Sequence, residues 1–205
     1  MTSKPALYFL GANPTADLAL FRPAAKGFEV LLIKRSSSSS ACPGLPAFPG
    51  GFVESLNPSG VHQPAETPEQ AARRELTEET GLVAGSQAEL VSCGAWDAPW
   101  RDPRNSPERF AKSHLFCAMM PHGYGPEPRG LDDAEAGATQ WVALEDLAGR
   151  VMAFDHGAML SACCAKLGLH DPGARSWSLE RMWGKLSDRR DIALEAACAK
   201  AGLAP

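Results

Sequence analysis

The chain has 205 residues, 44% hydrophobic and 21% charged, with 20 basic against 24 acidic side chains and a net charge of −4. That balance is ordinary for a soluble globular protein of one domain with appendages, and it gives no reason to expect non-specific nucleic-acid binding. Six cysteines, at 42, 93, 117, 163, 164 and 198, include no Cys-x-x-Cys pair. This spacing argues against zinc or a disulfide framework and for reduced thiols in a cytoplasm.

In chain order, the apolar stretch 6–12 is short and is interrupted by Asn13-Pro14, so neither a signal peptide nor a membrane span is expected. Ala16 to Phe21 and Glu29 to Lys34 read as strands separated by a turn bearing proline and glycine. Ser36 to Ser40 reads as a surface loop without chemistry of its own. Gly50-Gly51-Phe52-Val53-Glu54 is a tight turn entering a loop. Thr67 as N-cap, Pro68 at the first helical position and Gln70 closing a capping box then predict a helix over about 68–80. Further strands are expected near 88–95, 113–119 and 138–142, the last two separated by a stretch rich in glycine, proline and acids. Asp155 is the expected N-cap of a helix running to about Leu167, with Gly168 behind it. Short helices are expected near 179–186 and 191–201. Mixed strands with few helices indicate an α+β fold.

The run Arg74-Glu75-Leu76-Thr77-Glu78-Glu79-Thr80-Gly81 carries the chemistry. Helical spacing brings Glu75, Glu78 and Glu79 toward one another. Glu75 and Glu79 repel at i,i+4, by roughly 0.2–0.5 kcal/mol. Glu78 and Glu79 also stand at the negative end of the helix dipole, where a misplaced anion costs about 0.3–1 kcal/mol. A solvated acidic helix face screened by arginines is one reading. The other is a site for a hard divalent cation, which reverses the sign of each of these terms.

With Glu66 upstream, Arg74, Glu75, Leu76, Glu78, Glu79, Gly81 and Leu82 match in type and spacing the signature of the Nudix hydrolases, which the chain resembles. The resemblance implies a Nudix-type α/β/α sandwich with a mixed β-sheet and a loop–helix catalytic motif, over residues 1–167, followed by a helical extension over 168–205. It also implies Mg²⁺, with Mn²⁺ as a substitute, held by Glu75, Glu78, Glu79 and the Gly51 carbonyl. Gly60 has the literal spacing to Glu66, but Gly51 has the Pro-Gly-Gly-Phe-Val-Glu context, so Ser55 to Ala65 is read as an insertion. On that reading Gly51→Val abolishes turnover and Gly60→Val barely matters.

Arg101-Asp102-Pro103-Arg104, the acidic segment through Glu135, Trp141 and Phe154-Asp155-His156 are similar to the bacterial ADP-ribose pyrophosphatases of that family. By resemblance the substrate is a nucleoside diphosphate linked to another group, with ADP-ribose giving AMP and ribose 5-phosphate. Glu79 or Glu135 is the expected proton acceptor. Arg74 is expected to orient a helix glutamate, and Glu66 to steady the junction. Arg101 and Arg104 are candidates for the diphosphate or ribose, against an exposed turn held by Asp102. Phe52 or Trp100 offers a face to adenine, against plain core packing. Asp155 and His156 are read as a cap and helix start. Three alternatives stand beside this: an ADP-ribose-sensing regulator with a reduced DNA-binding tail, a nucleoside triphosphate pyrophosphatase and a dinucleotide pyrophosphatase. A homodimer follows from resemblance only.

Overall fold

Apolar residues alternate between the two faces of the central strands, so the sheet must be covered on both sides. The computed structural model describes residues 7–83, 89–121, 127–129 and 139–181. It contains β1 (Gly11–Pro23), β2 (Phe28–Lys34), β3 (Pro46–Ala47), β4 (Gly50–Phe52), α1 (Pro68–Thr80), β5 (Val91–Trp96), β6 (Arg109–Met119) and β7 (Thr139–Ala143). A 3₁₀ turn at Leu144–Leu147, β8 (Val151–Met152), α2 (His156–Leu167) and β9 (Arg175–Ser176) follow.

Seven strands form one mixed sheet in the order β3-β2-β1-β6-β5, with β4 also pairing β1 and β7 also pairing β2. β1 and β6 run parallel from Gly11↔Arg109 to Phe21↔Met119, and the other pairs of this sheet are antiparallel. Ala19 and Phe21, Val30 and Leu32, and Leu115 and Cys117 face one side, where Met159, Leu160, Cys163 and Cys164 of α2 close over them. Leu18 and Leu20, Leu31, and Ala118 face the other side, against Ala71, Ala72 and Leu76 of α1. The expected α+β sandwich is therefore present, with α1 on one face of the sheet and α2 on the other.

α1 has the predicted bounds, and its capping box is complete: Gln70 N–H donates to Thr67 Oγ1 at 3.2 Å and Thr67 N–H to Gln70 Oε1 at 2.8 Å. Gly81 ends it in the left-handed region at φ 69°. β1 is longer than expected and passes through Asn13-Pro14. The carbonyl of Pro14 points toward β4 and accepts from Val53 N–H, so its nitrogen points the same way, beyond the last β1–β4 pair at Thr15↔Phe52. The missing N–H is harmless at that ladder end. Buried Asn13 ties the preceding turn through Phe9 N–H and Phe9 C=O.

Residues 55–65 form a folded excursion, closed by Leu56 N–H to Gln63 C=O at 2.8 Å and Ala65 N–H to Glu54 C=O at 2.9 Å. After α2 the chain returns, and β9 pairs with β8 in parallel. Helical residues start at Trp177, and the remainder of the two expected tail helices lies outside the described residues, as does Glu135. Among the described residues no helix is long and apolar enough to cross a membrane.

Candidate active site

The junction of β4 with α1 is held by one guanidinium. Arg74 donates to Glu66 (2.6 and 3.2 Å), to Glu75 Oε1 (2.8 Å), to Glu78 Oε2 (2.9 Å) and to the Phe52 carbonyl (3.0 Å). A planar fork of five N–H groups suits such a multiple contact. Burial opposes ionisation of Glu66, but its hydrogen bonds from Arg74 and from Glu54 N–H outweigh this and hold its carboxyl below the usual range. The same bonds raise the guanidinium pKa of Arg74. Arg74 therefore ties the loop, the helix and a strand end into one unit.

The carboxylates of α1 are not equivalent. Glu75 and Glu79 line a cleft of about 520 Å³, whereas Glu78 is exposed, rests on Arg74 and lies away from the cleft lining. Burial raises the Glu75 carboxyl, with Arg74 opposing. Glu79 is pushed up to about 8 by burial, and then by the nearby charges of Glu75 and Asp17, while a 2.9 Å bond from Gly50 N–H opposes. Among the described residues no cation forms a salt bridge with Glu79. A Cβ on Gly51 would overlap the Glu75 carboxylate, so only glycine lets β4 pass this close. Gly60 faces open space, but its φ is 88°. Valine there would strain the backbone, which corrects the expectation of an indifferent Gly60→Val.

The opposite wall is basic and aromatic. Arg104 lies between the rings of Phe52 (5.9 Å) and Phe154 (5.7 Å), and Arg35 lies 4.9 Å from the Phe154 centroid. Asp102 receives the Arg104 side chain at 2.7 and 3.0 Å and so fixes its direction. Phe52 is half-buried at the cleft and meets Tyr8 edge-on at 5.0 Å. Phe154 and Cys42 both have φ 50°, and Phe154 N–H points to Cys42 Sγ at 3.3 Å. Such backbone strain, about 1–3 kcal/mol per residue, persists where the surroundings enforce it.

Arg101 stands beneath this wall. It is buried, and it spends its fork on Asp155 at 3.0 and 3.1 Å. Asp155 does occupy the N-cap position of α2, but its side chain makes no cap hydrogen bond, which corrects the capping expectation. A buried guanidinium demands a carboxylate more strongly than a helix end does. Trp100 lines a separate cavity with Trp177 and Arg181. Ser36 and Ser39 of the serine run line the main cleft, contrary to the reading of that run as a bystander.

His156 is fully buried, stacked on Phe48 at 5.0 Å, and its Nδ1 accepts from Phe48 N–H at 3.0 Å. The ring proton is therefore on Nε2, which faces Asp17 Oδ1 at 3.6 Å. Asp17 in turn accepts from Ser113 Oγ, and burial raises its carboxyl. His156 is pushed down to about 3, first by burial and further by Arg101 and Arg35, with Asp155 and Asp102 opposing. Between that value and its ordinary 6.5 the unfolded chain takes up a proton that the folded chain refuses, so stability present at neutral pH is lost as pH falls through this window. Asp17 works in the opposite sense, so a comparison isolates the histidine. His156→Gln is expected to lose less stability than the wild type between about pH 7 and about pH 4.5 in urea unfolding. Equal losses would remove His156 from that role.

Sequence spacing did not single out Asp17, Arg35 or Phe154 as functional residues, although Phe154 belongs to one of the resembling segments. They converge from three separate parts of the chain, and no local pattern announces that.

Against known proteins, the NUDIX domain family model matches residues 12–163, and the chain belongs to that family. The chain is 40% identical over 131 residues to the ADP-ribose pyrophosphatase of Methanocaldococcus jannaschii, an alignment covering 64% of this chain and 63% of that protein. The chain thus spans a little under two thirds of that relative's length. A MutT/nudix family protein from Listeria innocua is similar in structure, with a TM-score of 0.56, 29% identity and coverage of 76% and 94% of the two chains. The NUDIX domain of Shewanella oneidensis NrtR, complexed with ADP ribose, superposes with a TM-score of 0.61 at 23% identity, covering 77% of this chain and 89% of that one. At that identity the likeness concerns the fold.

Proposed function

We propose that this protein is a metal-dependent Nudix pyrophosphohydrolase that cleaves the diphosphate of a nucleoside diphosphate linked to a second group, with ADP-ribose as the substrate. The observation carrying this reading is the two-walled cleft, acidic at Glu75 and Glu79 and cationic-aromatic at Arg35, Arg104, Phe52 and Phe154. A nucleotide needs both walls. Its phosphates call for countercharge, and its base and ribose call for flat faces and fixed donors. The name of the archaeal relative supports the choice of ADP-ribose.

The donor set fits Mg²⁺, or Mn²⁺ in its place. Glu75 and Glu79 offer hard oxygens, both are disfavoured as bare anions by burial, and Gly51 brings a backbone carbonyl to the same junction. We assign these three groups to the ion, with Glu78 as the further, more exposed carboxylate. When bound, the ion supplies Lewis acidity that neutralises charge on the phosphate oxygens.

The rest of the work belongs to the chain. Arg74 keeps Glu75 turned toward the Gly51 strand, and Glu66 anchors Arg74. Glu79 takes the proton of the attacking water, its carboxylate lying in the cleft beside Glu75; Glu135 is the second candidate for that proton. Arg104 meets the substrate at the basic wall, whereas Arg101, expected to contact it, is buried on Asp155 and only fixes the floor beneath. Phe52 offers its face to the base. Positioning and charge neutralisation dominate this class of reaction. Free thiols among the described cysteines suit a cytoplasmic setting.

The test is a panel of ADP-ribose, dinucleotides and nucleoside triphosphates with Mg²⁺ or Mn²⁺ in heavy-oxygen water, with products read by mass spectrometry. AMP and ribose 5-phosphate, one of them carrying the isotope, are expected in the ADP-ribose reaction. Faster hydrolysis of triphosphates, or ADP-ribose binding without turnover, would overturn the assignment.

A further inference from the structure

On the α2 side of the sheet, away from the cleft, three cysteines from three elements meet. Cys93 of β5, Cys117 of β6 and Cys163 of α2 have sulfurs all within 4.8 Å of one another. Cys93 Sγ is 3.3 Å from Cys117 Sγ and 3.9 Å from Cys163 Sγ. Sequence separations of 24 and 70 residues make this a product of folding.

The local geometry favours it. β5 pairs with β6 through Val91↔Cys117 and Ser92↔Phe116, then breaks register before Ala95, with Gly94 at φ 89°. Cys93 lies in that bulge, on the inward face shared with Val91, and it reaches diagonally to Cys117. Bulges commonly re-aim a side chain in this way. α2 lies across the same strands and lowers Cys163 onto the pair.

We propose that Cys93, Cys117 and Cys163 form a three-thiolate site for a soft closed-shell cation, Zn²⁺ or Cu⁺, separate from the phosphate cleft. With metal–sulfur bonds near 2.3 Å, three thiolates around one ion stand roughly 3.8–4.0 Å apart. The 3.9 Å separation falls within that spacing and the 3.3 Å one lies below it, so small side-chain rotations suffice. Sulfur donors select soft cations over the hard ions that a carboxylate cleft takes. Each thiol that ligates gives up its proton to solvent, and the ion replaces those protons in an otherwise apolar layer. Among the described residues β5 is the terminal strand of the sheet, and Cys93 is half-buried there, which leaves a side for entry. Bound there, the ion staples the edge strand to its neighbour and to the helix.

The experiment loads the full-length, fully reduced protein with Zn²⁺ or, under anaerobic conditions, Cu⁺, removes excess ion, and counts metal by elemental analysis. One arm or the other is expected to keep about one equivalent per chain, with a sulfur shell near ~2.3 Å in X-ray absorption. Cys93→Ser, a change at a half-buried position, is expected to lose about tenfold in retained metal while hydrolysis in Mg²⁺ stays within about twofold. Glu79→Gln is expected to keep its full equivalent, which separates this site from the cleft whether or not the proposed hydrolysis is correct. Retention of neither ion by folded wild-type protein, undiminished retention in Cys93→Ser, or an oxygen-only shell would overturn the proposal. A Cys93–Cys117 disulfide that reforms in the presence of the ion would overturn it as well.

Discussion

Glu79→Gln is expected to lower kcat by roughly 10²- to 10³-fold while the metal-free variant melts above the wild type at alkaline pH. That loss corresponds to about 2.7–4 kcal/mol of barrier. The two effects have one cause. Burial, Glu75 and Asp17 make the ionised Glu79 carboxylate costly, and among the described residues its one hydrogen-bond donor is Gly50 N–H. Its folded pKa, about 8, exceeds its ordinary 4.5, so the folded chain holds a proton that the unfolded chain releases. The stability this confers is present below 4.5 and is lost as pH rises through about 8. An amide keeps the acceptor for Gly50 N–H and never ionises, so that loss disappears with the carboxylate. What it cannot do is take a proton or ligate a hard cation strongly. Steady-state kinetics in saturating Mg²⁺, together with melting curves in chelator near pH 9, check both halves. Near-normal turnover would remove Glu79 from the mechanism, and an unchanged or lower melting temperature would contradict the charge argument.

Gly51→Val is expected to cut kcat/KM by at least about 10²-fold, since a displacement of about 1 Å at a reacting centre already costs that much. Its Cβ would overlap the Glu75 carboxylate, so either β4 moves off α1 or Glu75 leaves the cleft. The neighbouring Gly50 is as tightly placed, against Asp17 and the Ala16 carbonyl, so the strand has little room to retreat. Gly60→Asn is the fair control: open space surrounds position 60, and asparagine tolerates positive φ where valine does not. It should leave kcat/KM within about twofold. The opposite pattern, a large loss in Gly60→Asn and a small one in Gly51→Val, would shift the catalytic glycine from 51 to 60 and displace the reading of residues 55–65 as an insertion.

The contrast between these glycines shows what spacing in a sequence can and cannot specify. Gly60 satisfies a count of residues to Glu66, whereas Gly51 satisfies a contact with Glu75 across 24 residues of chain. Counting ranked the two only through neighbouring residues, and the overlap with a carboxylate became visible once β4 lay against α1. Arg74 illustrates an intermediate case. Its i,i+4 partner Glu78 was visible from helical spacing, but its bonds to Glu66 and the Phe52 carbonyl depend on the path of the loop.

Misreadings share a cause as well. Asp155 has the residue type and position of an N-cap, and only Arg101, 54 residues earlier, diverts its side chain. Pro14 looks like a strand breaker until the end of the β4 ladder shows that its missing N–H has no partner to lose. The serine run looks inert because nothing local reveals which cavity it borders.

By itself the sequence determined α1 with both of its caps, the alternation that packs the sheet on two faces, and the carboxylates and arginine of the family signature. These follow from hydrogen bonds and periodicities spanning a few residues, which the chain carries in its order. Only the tertiary structure decided which glutamates enter the cleft, which arginines remain free to meet a ligand, how Phe154 comes to lie beside Arg35 and Arg104, and that three distant thiols share one corner of the core. Those outcomes depend on burial and on competition between partners far apart in the chain, and neither exists until the sheet has closed between its helices.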